Sequence, residues 1–212
     1  MLDQARNITV VQHPLVATKL TKLRAASTST EQFRTNLQEL SILLLAEASR
    51  DWSATAIDVQ TPLRSCPGAA LTKPVVFVPI LRAGVGMLDG MLRMVPDAQV
   101  GHLGLYRDEK TLRPVSYYRR LPSNVADAEV LLLDPMLATG HSASEAVSVL
   151  KAHGAKSILF VCIVACPEGI AQLQSAHPEV PIITAAIDAG LNDVGYIVPG
   201  LGDAGDRYFG TG

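Results

Sequence analysis

The 212-residue sequence holds only three cysteines, one tryptophan and 5% aromatic residues in all. Three scattered thiols cannot build a disulfide framework. Cys162 and Cys166, four apart in LFVCIVAC, would lie roughly 13 Å apart on a strand, beyond bridging distance. Both are expected as core thiols. No Cys/His cluster has the spacing of a zinc site. Charge is sparse as well: the net charge is −2 and the isoelectric point about 6.2. That balance excludes a general nucleic-acid binder and a polybasic membrane binder. No apolar run reaches membrane-spanning length, and the opening MLDQARNITVVQHP lacks the charged-then-apolar pattern of a signal segment. A cytoplasmic location is expected.

Apolar residues, by contrast, make up 48% of the chain, enough for a large core. The length fits one domain. The first part reads helical: Leu15, Val16, Leu20 and Leu23 fall at helical spacing behind Pro14, a residue suited to a first helical position. A second helix carries Phe33, Leu37, Leu40 and Leu44, with Ser29 and Gln32 offering a capping box. TPLRSCPGAALTKP (61–74) is expected to hold a short hairpin. Beyond it strands alternate with helices: VVFVPIL (75–81), a helix ending at Pro96, QVGHLGLYR, EVLLLD, a helix closed by Gly154, KSILFVCIVA, PEGIAQLQSAHP and PIITAAI. This alternation predicts an α/β fold, an open and mostly parallel sheet flanked by helices. Such sheets bind ligands beyond the carboxyl ends of their strands.

VLLLDPMLATGHS (130–142) is then a strand, a turn and a helix start. Unpaired N–H groups and the helix dipole favour an anion there. Thr139 and Ser142 add hydroxyls, and Gly140 lets backbone come close. Asp134 is an acceptor suited to hydroxyls or a metal-bound group. The competing phosphate motifs fail: no glycine run precedes Lys-Ser/Thr, and GVG at 84–86 does not continue as a dinucleotide fingerprint. The turn points to a sugar phosphate; the alternative is a well-capped helix and nothing more.

LLLDPMLATG resembles the phosphoribosyl-diphosphate loop of type I phosphoribosyltransferases, and Pro135 after the aspartate resembles the uracil phosphoribosyltransferase family within them. HPLV, PILRAGVGM, YRDEKTLRPVSYY, VACPEGI and GYIVPGLGDAGDRYFGT match the same family in the same order, from residue 13 to 211. The resemblance implies a single domain over 1–212, with N-terminal helices at about 14–50, a core at about 74–188 and a C-terminal hood at about 189–212. It also implies transfer of phosphoribose from 5-phosphoribosyl 1-diphosphate to uracil N1, giving UMP.

Residue by residue, the resemblance places the substrate's phosphate on Ala138, Thr139, Gly140, His141 and Ser142, with Pro135, Met136 and Leu137 completing the loop. Asp134 accepts from the ribose hydroxyls. Arg82 and Arg107 take the pyrophosphate; without the resemblance, Arg82 reads as a strand-end arginine in a surface ion pair. An unusual peptide geometry is expected near Arg82. Relatives generally carry glycine at the position of His141: the side chain could crowd the cradle at a positive φ, donate to the phosphate or face solvent. The basic arm at 106–120 holds five of the 18 Lys and Arg residues; it serves as a lid or is simply solvated, and Tyr117 and Tyr118 are expected to pack. Ile197, Gly202, Ala204 and Tyr196 are assigned to the base and Asp203 to the diphosphate substrate, in a segment too rich in Gly and Pro for a helix. Asp206 and Arg207 are expected to pair, and Glu168 to support a helix start. Magnesium would arrive with the substrate, a homodimer or higher homo-oligomer is implied, and GTP is a candidate effector. Rival readings are a regulatory RNA-binding or nucleotide-sensing protein on the same fold, and a transferase for another base.

Overall fold

The computed structural model describes residues 7–107 and 114–211. The chain opens with β1 (Ile8–Val10), α1 (Pro14–Arg24) and α2 (Thr30–Ala48). α1 starts at Pro14, with the His13 imidazole accepting from the Leu15 N–H at 3.1 Å. α2 carries the expected capping box: Ser29 Oγ accepts from Gln32 N–H at 3.2 Å, and Gln32 Oε1 from Ser29 N–H at 3.4 Å. A hairpin follows, β2 (Ala54–Gln60) and β3 (Ser65–Leu71). It begins seven residues before the stretch expected to contain it, because ATAIDVQ lacks Gly and Pro yet pairs along its whole length with β3.

The core repeats strand and helix: β4 (Val75–Leu81), α3 (Val85–Met94), β5 (Gln99–Val100), β6 (His102–Arg107), β7 (Pro114–Arg120), β8 (Glu129–Leu133), β9 (Met136–Leu137), α4 (His141–Ala152), β10 (Ser157–Ala165), α5 (Pro167–Ala176) and β11 (Ile182–Ile187). QVGHLGLYR is thus two strands; the break falls at Gly101, whose N–H still donates to the Phe77 carbonyl at 2.9 Å. Among the described residues the main path across the sheet is β1-β11-β10-β8-β4-β6-β7, parallel except for the β6–β7 pair. β1, three residues long, adds an edge that no periodicity could announce.

Side chains alternate across the sheet as the pleat demands. Val75, Phe77, Leu131, Leu133, Val161 and Ile163 meet the helices α1, α2 and α3 on one face. Val76, Val78, Val130, Leu132, Phe160 and Cys162 meet α4 and α5 on the other. Because both faces are covered, VVFVPIL and EVLLL read as unbroken apolar runs. Cys162 and Cys166 are free and buried, as expected; burial pushes the Cys162 thiol up to about 12. No helix among the described residues is long and apolar enough to cross a membrane.

The C-terminal segment holds β12 (Gly190–Leu191), β13 (Ile197–Val198) and a helix, α6 (Ala204–Phe209). The expectation of a wholly irregular segment is therefore corrected at α6. Asp203 caps it by accepting from the Asp206 N–H at 2.8 Å, and glycine closes it at Gly210 with φ +72°. A cap on each side allows one short helix between the glycines.

Candidate active site

Asp134 follows the last residue of β8, and its N–H donates to Val161 O at 3.2 Å. The chain then hugs β10: the N–H groups of Ile163 and Val164 both donate to the Pro135 carbonyl, at 3.0 and 3.1 Å. The Asp134 carboxylate accepts from the Met136 N–H at 3.2 Å. One edge of Asp134 stays accessible, yet apolar protein surrounds the rest. Burial pushes its carboxyl up to about 7, against the opposing pull of the Met136 N–H.

Gly140 turns the loop into α4. Its φ is +77°, and a Cβ there would stand 2.6 Å from the Gly169 carbonyl oxygen. Glycine is required on both counts. Ser144 closes the first helical turn, its N–H and hydroxyl both donating to Gly140 O at 2.9 Å. No side chain caps the helix, so the N–H groups that precede Ser144 point out of it. His141 is the first helical residue and is exposed. Gly140 rather than His141 takes the left-handed conformation, so the imidazole does not crowd the cradle from a positive φ. It faces an open groove lined also by Thr139, Glu168, Gln172 and Leu191.

The first turn of α5 supports this loop. Cys166 donates its N–H to Leu137 O at 3.2 Å and its thiol to Ala138 O at 3.1 Å. Glu168 accepts from the Leu191 N–H at 3.3 Å, tying the hood to the same turn. Its own backbone N–H first, then the Cys166 thiol and the Leu191 N–H, hold the Glu168 carboxyl below the usual range against burial. Its expected structural place is what the contacts describe.

Beside β8, the β4–α3 turn contains a cis peptide between Leu81 and Arg82. Gly84 sits so close to β8 that a Cβ would lie 2.4 Å from the Leu133 carbonyl oxygen. Arg82 is 60% exposed, 3.3 Å from Asp206, and stacked over the Phe209 ring at 5.8 Å. Asp206 thus pairs with Arg82, not with Arg207 as expected. Arg207 instead donates to the carbonyls of Leu23, Leu201 (2.8 Å) and Ala25 (2.7 Å), and its guanidinium lies 4.5 Å over Phe33. The end of α1 leaves carbonyls without helical partners, and these take the half-buried Arg207, while Asp206 is held by Arg82 and by the Thr211 hydroxyl at 2.6 Å.

Asp203 is exposed, and Ala83 lies 3.7 Å from where a Gly205 Cβ would stand. The Arg82 turn and the start of α6 are therefore neighbours. Ile197 and Ala204 are buried, Gly202 has φ +71°, and Tyr196 is exposed with its N–H on Asn192 Oδ1 at 2.9 Å. Tyr117 covers Gly104, its ring 2.6 Å from a Cβ placed there. Arg107 ends β6; its side chain, with Lys110 and Arg113, lies outside the described residues. Sequence reasoning missed Arg24 and Asp188, which brace the hood at Gly200. Nothing local marks a pair 164 residues apart.

A family described as uracil phosphoribosyltransferase matches residues 10–211. The uracil phosphoribosyltransferase of Dictyoglomus turgidum is 56% identical over 96% of this chain and 99% of its own. The AQ2163 protein of Aquifex aeolicus superposes with a TM-score of 0.91 at 40% identity, over 96% of this chain and 98% of that one. The adenine phosphoribosyl transferase of Trypanosoma brucei shares the fold at a TM-score of 0.59 and 12% identity, over 91% of this chain and 88% of its own. The family match and the Dictyoglomus relative cover nearly the whole chain, from the first helices to the C-terminal helix, and the chain belongs to the uracil phosphoribosyltransferase family.

Proposed function

We propose that the protein transfers the phosphoribosyl group of 5-phosphoribosyl 1-diphosphate to N1 of uracil, forming UMP and diphosphate in pyrimidine salvage. One observation carries the reading: an uncapped helix start, opened by left-handed Gly140 just beyond Asp134, at the carboxyl edge of a parallel sheet. The helix places about half a positive charge where a phosphate would lie. Ala138 to Ser142 supply the cradle, and Asp134 accepts from the ribose hydroxyls. Arg82 leaves its loose surface pair with Asp206 for the leaving diphosphate, joined by Arg107. Displacement at the anomeric carbon needs charge stabilisation and exclusion of water rather than a nucleophilic side chain. Magnesium enters as part of the diphosphate substrate, as suits an ion that keeps its waters and prefers phosphates; its positive charge would hold Asp134 ionised. Main-chain groups around Ile197, Gly202 and Ala204 read the base under Tyr196, and Asp203 faces the sugar side.

The test is consumption of uracil with release of diphosphate, in competition with cytosine, hypoxanthine and orotate. Uracil alone should be consumed; retention of RNA at low salt without turnover would favour the regulatory reading. Asp203→Ala should remove turnover while leaving the melting temperature within a few degrees of the parent's, since one helix cap is worth about 1 kcal/mol. Added GTP tests the effector that the family resemblance implies, and a cytoplasmic setting suits the unpaired thiols.

A homodimer belongs to the same proposal. Every residue of β2 is exposed, Ile57 at 42% and Val59 at 39%, and Leu63 at the hairpin tip is 94% exposed. An isolated two-stranded hairpin is marginal in water. A second copy is the proposed cover. Sedimentation should give a dimer, and Leu63→Glu with Ile57→Glu should shift it toward monomer.

A further inference from the structure

Asp188 directly follows β11, at the carboxyl edge of the sheet, and is 8% exposed. Both of its carboxylate oxygens are engaged. Arg24, the last residue of α1, donates through Nη2 to Oδ1 at 2.6 Å and through Nη1 to Oδ2 at 2.8 Å. The same Nη1 donates to the Gly200 carbonyl at 3.0 Å, and the Gly200 N–H donates to Asp188 Oδ2 at 2.8 Å. One ion pair, its carboxylate buried and its guanidinium half-buried, therefore holds both polar groups of a single hood residue.

We propose that Arg24 and Asp188 are positioning residues that set the polarity of base recognition, an inference that rests on the hood being the base reader. A main-chain reader distinguishes uracil from cytosine by whether a donor or an acceptor faces the base. Rotating one peptide plane exchanges the two. Gly200 lies between the segments Ile197 and Gly202–Ala204, and its φ of +60° marks a residue with unusual backbone freedom. Left alone, a glycine there could present either face of its peptides. The bidentate Arg24–Asp188 pair removes that choice, because a flip would strand a buried carboxylate and a guanidinium. Neither side chain needs to touch the base. Both Asp188 oxygens are already engaged and the residue is buried, which separates it from the exposed Asp203.

Arg24→Met, Arg24→Lys and Asp188→Asn test this against the parent enzyme. In Arg24→Met and Asp188→Asn the KM for uracil should rise about tenfold or more, and the preference for uracil over cytosine should fall by a similar factor. The KM for the diphosphate substrate should stay within about twofold, since the phosphate loop keeps its own supports. Arg24→Lys keeps the charge but loses the fork, so it should fall between parent and Met variant. Amide exchange at Gly200 should quicken in the same order, a readout that needs no turnover and serves any variant too unstable to assay. Equal uracil KM and base preference in variants that melt near the parent would overturn the proposal, as would parallel losses for both substrates. Failure of the parent to use uracil at all would instead overturn the hood reading.

Discussion

The proposed phosphate cradle and the proposed base hood hold main-chain groups still by opposite means. The cradle spans nine consecutive residues, Asp134 to Ser142, and its geometry follows from a strand end, one left-handed glycine and a helix start. The hood has little regular structure of its own: two two-residue strands and a six-residue helix. It is fixed against the rest of the molecule, by Arg24 and Asp188 at Gly200 and by its own Arg207 on the carbonyls of Leu23 and Ala25. Local backbone geometry is cheap in side chains but intolerant of any change at its turning point. A braced segment tolerates changes along its length but depends on a few cations whose bonds reach far along the chain.

The comparison breaks most sharply at Gly140. Gly140→Val meets both a positive φ and the Gly169 carbonyl, so turnover should fall by about a thousandfold or more, chiefly through the diphosphate substrate. Initial rates at varied substrate show whether uracil affinity is spared. Asp134→Asn should lower turnover about a hundredfold yet not destabilise the fold. The sign follows from the carboxyl being pushed above its ordinary value, to about 7. The folded state then binds more protons than the unfolded chain between about pH 4 and 7, so ligand-free stability falls as pH rises through that window. The amide removes the penalty and should gain on the order of 1–3 kcal/mol at pH 8, with a flatter melting profile from pH 4 to 8. A parent protein that grows more stable across that window would contradict the burial of Asp134.

Arg207→Met should cost on the order of 2–4 kcal/mol, because three carbonyls lose a charged donor. Its effect on uracil affinity should exceed that on the phosphate side, and denaturant titration with both KM values checks it. His141→Gly should do least: an exposed side chain at a first helical position should alter the diphosphate KM by no more than about threefold. A larger loss would make the imidazole part of the cradle and blur the contrast.

The same contrast decides what the sequence reveals. β4, β8, β10 and β11 are nearly continuous apolar runs because both faces are buried, and the α2 capping box is visible as Ser29 and Gln32. The turn at 134–142 is legible for the same reason, since its physics is local. β1 is too short to show a period, and β2 is exposed throughout, so neither leaves an apolar signature. Arg207 is misread as a partner of Asp206 because adjacency in sequence says nothing about the end of α1, 182 residues away from it at Ala25. Arg24 and Asp188 are invisible alone; either could be any surface charge until the fold brings them together.

The first turn of α5 touches both regions, Cys166 beneath Leu137 and Ala138 and Glu168 against Leu191. On the proposed assignment, a shared abutment of this kind would make the two ligand sites thermodynamic neighbours even where their ligands never meet. If the loop shifts the turn when its anion arrives, the hood must register the change. Reciprocity then requires that whatever factor the sugar diphosphate applies to the affinity for the base, the base returns in full.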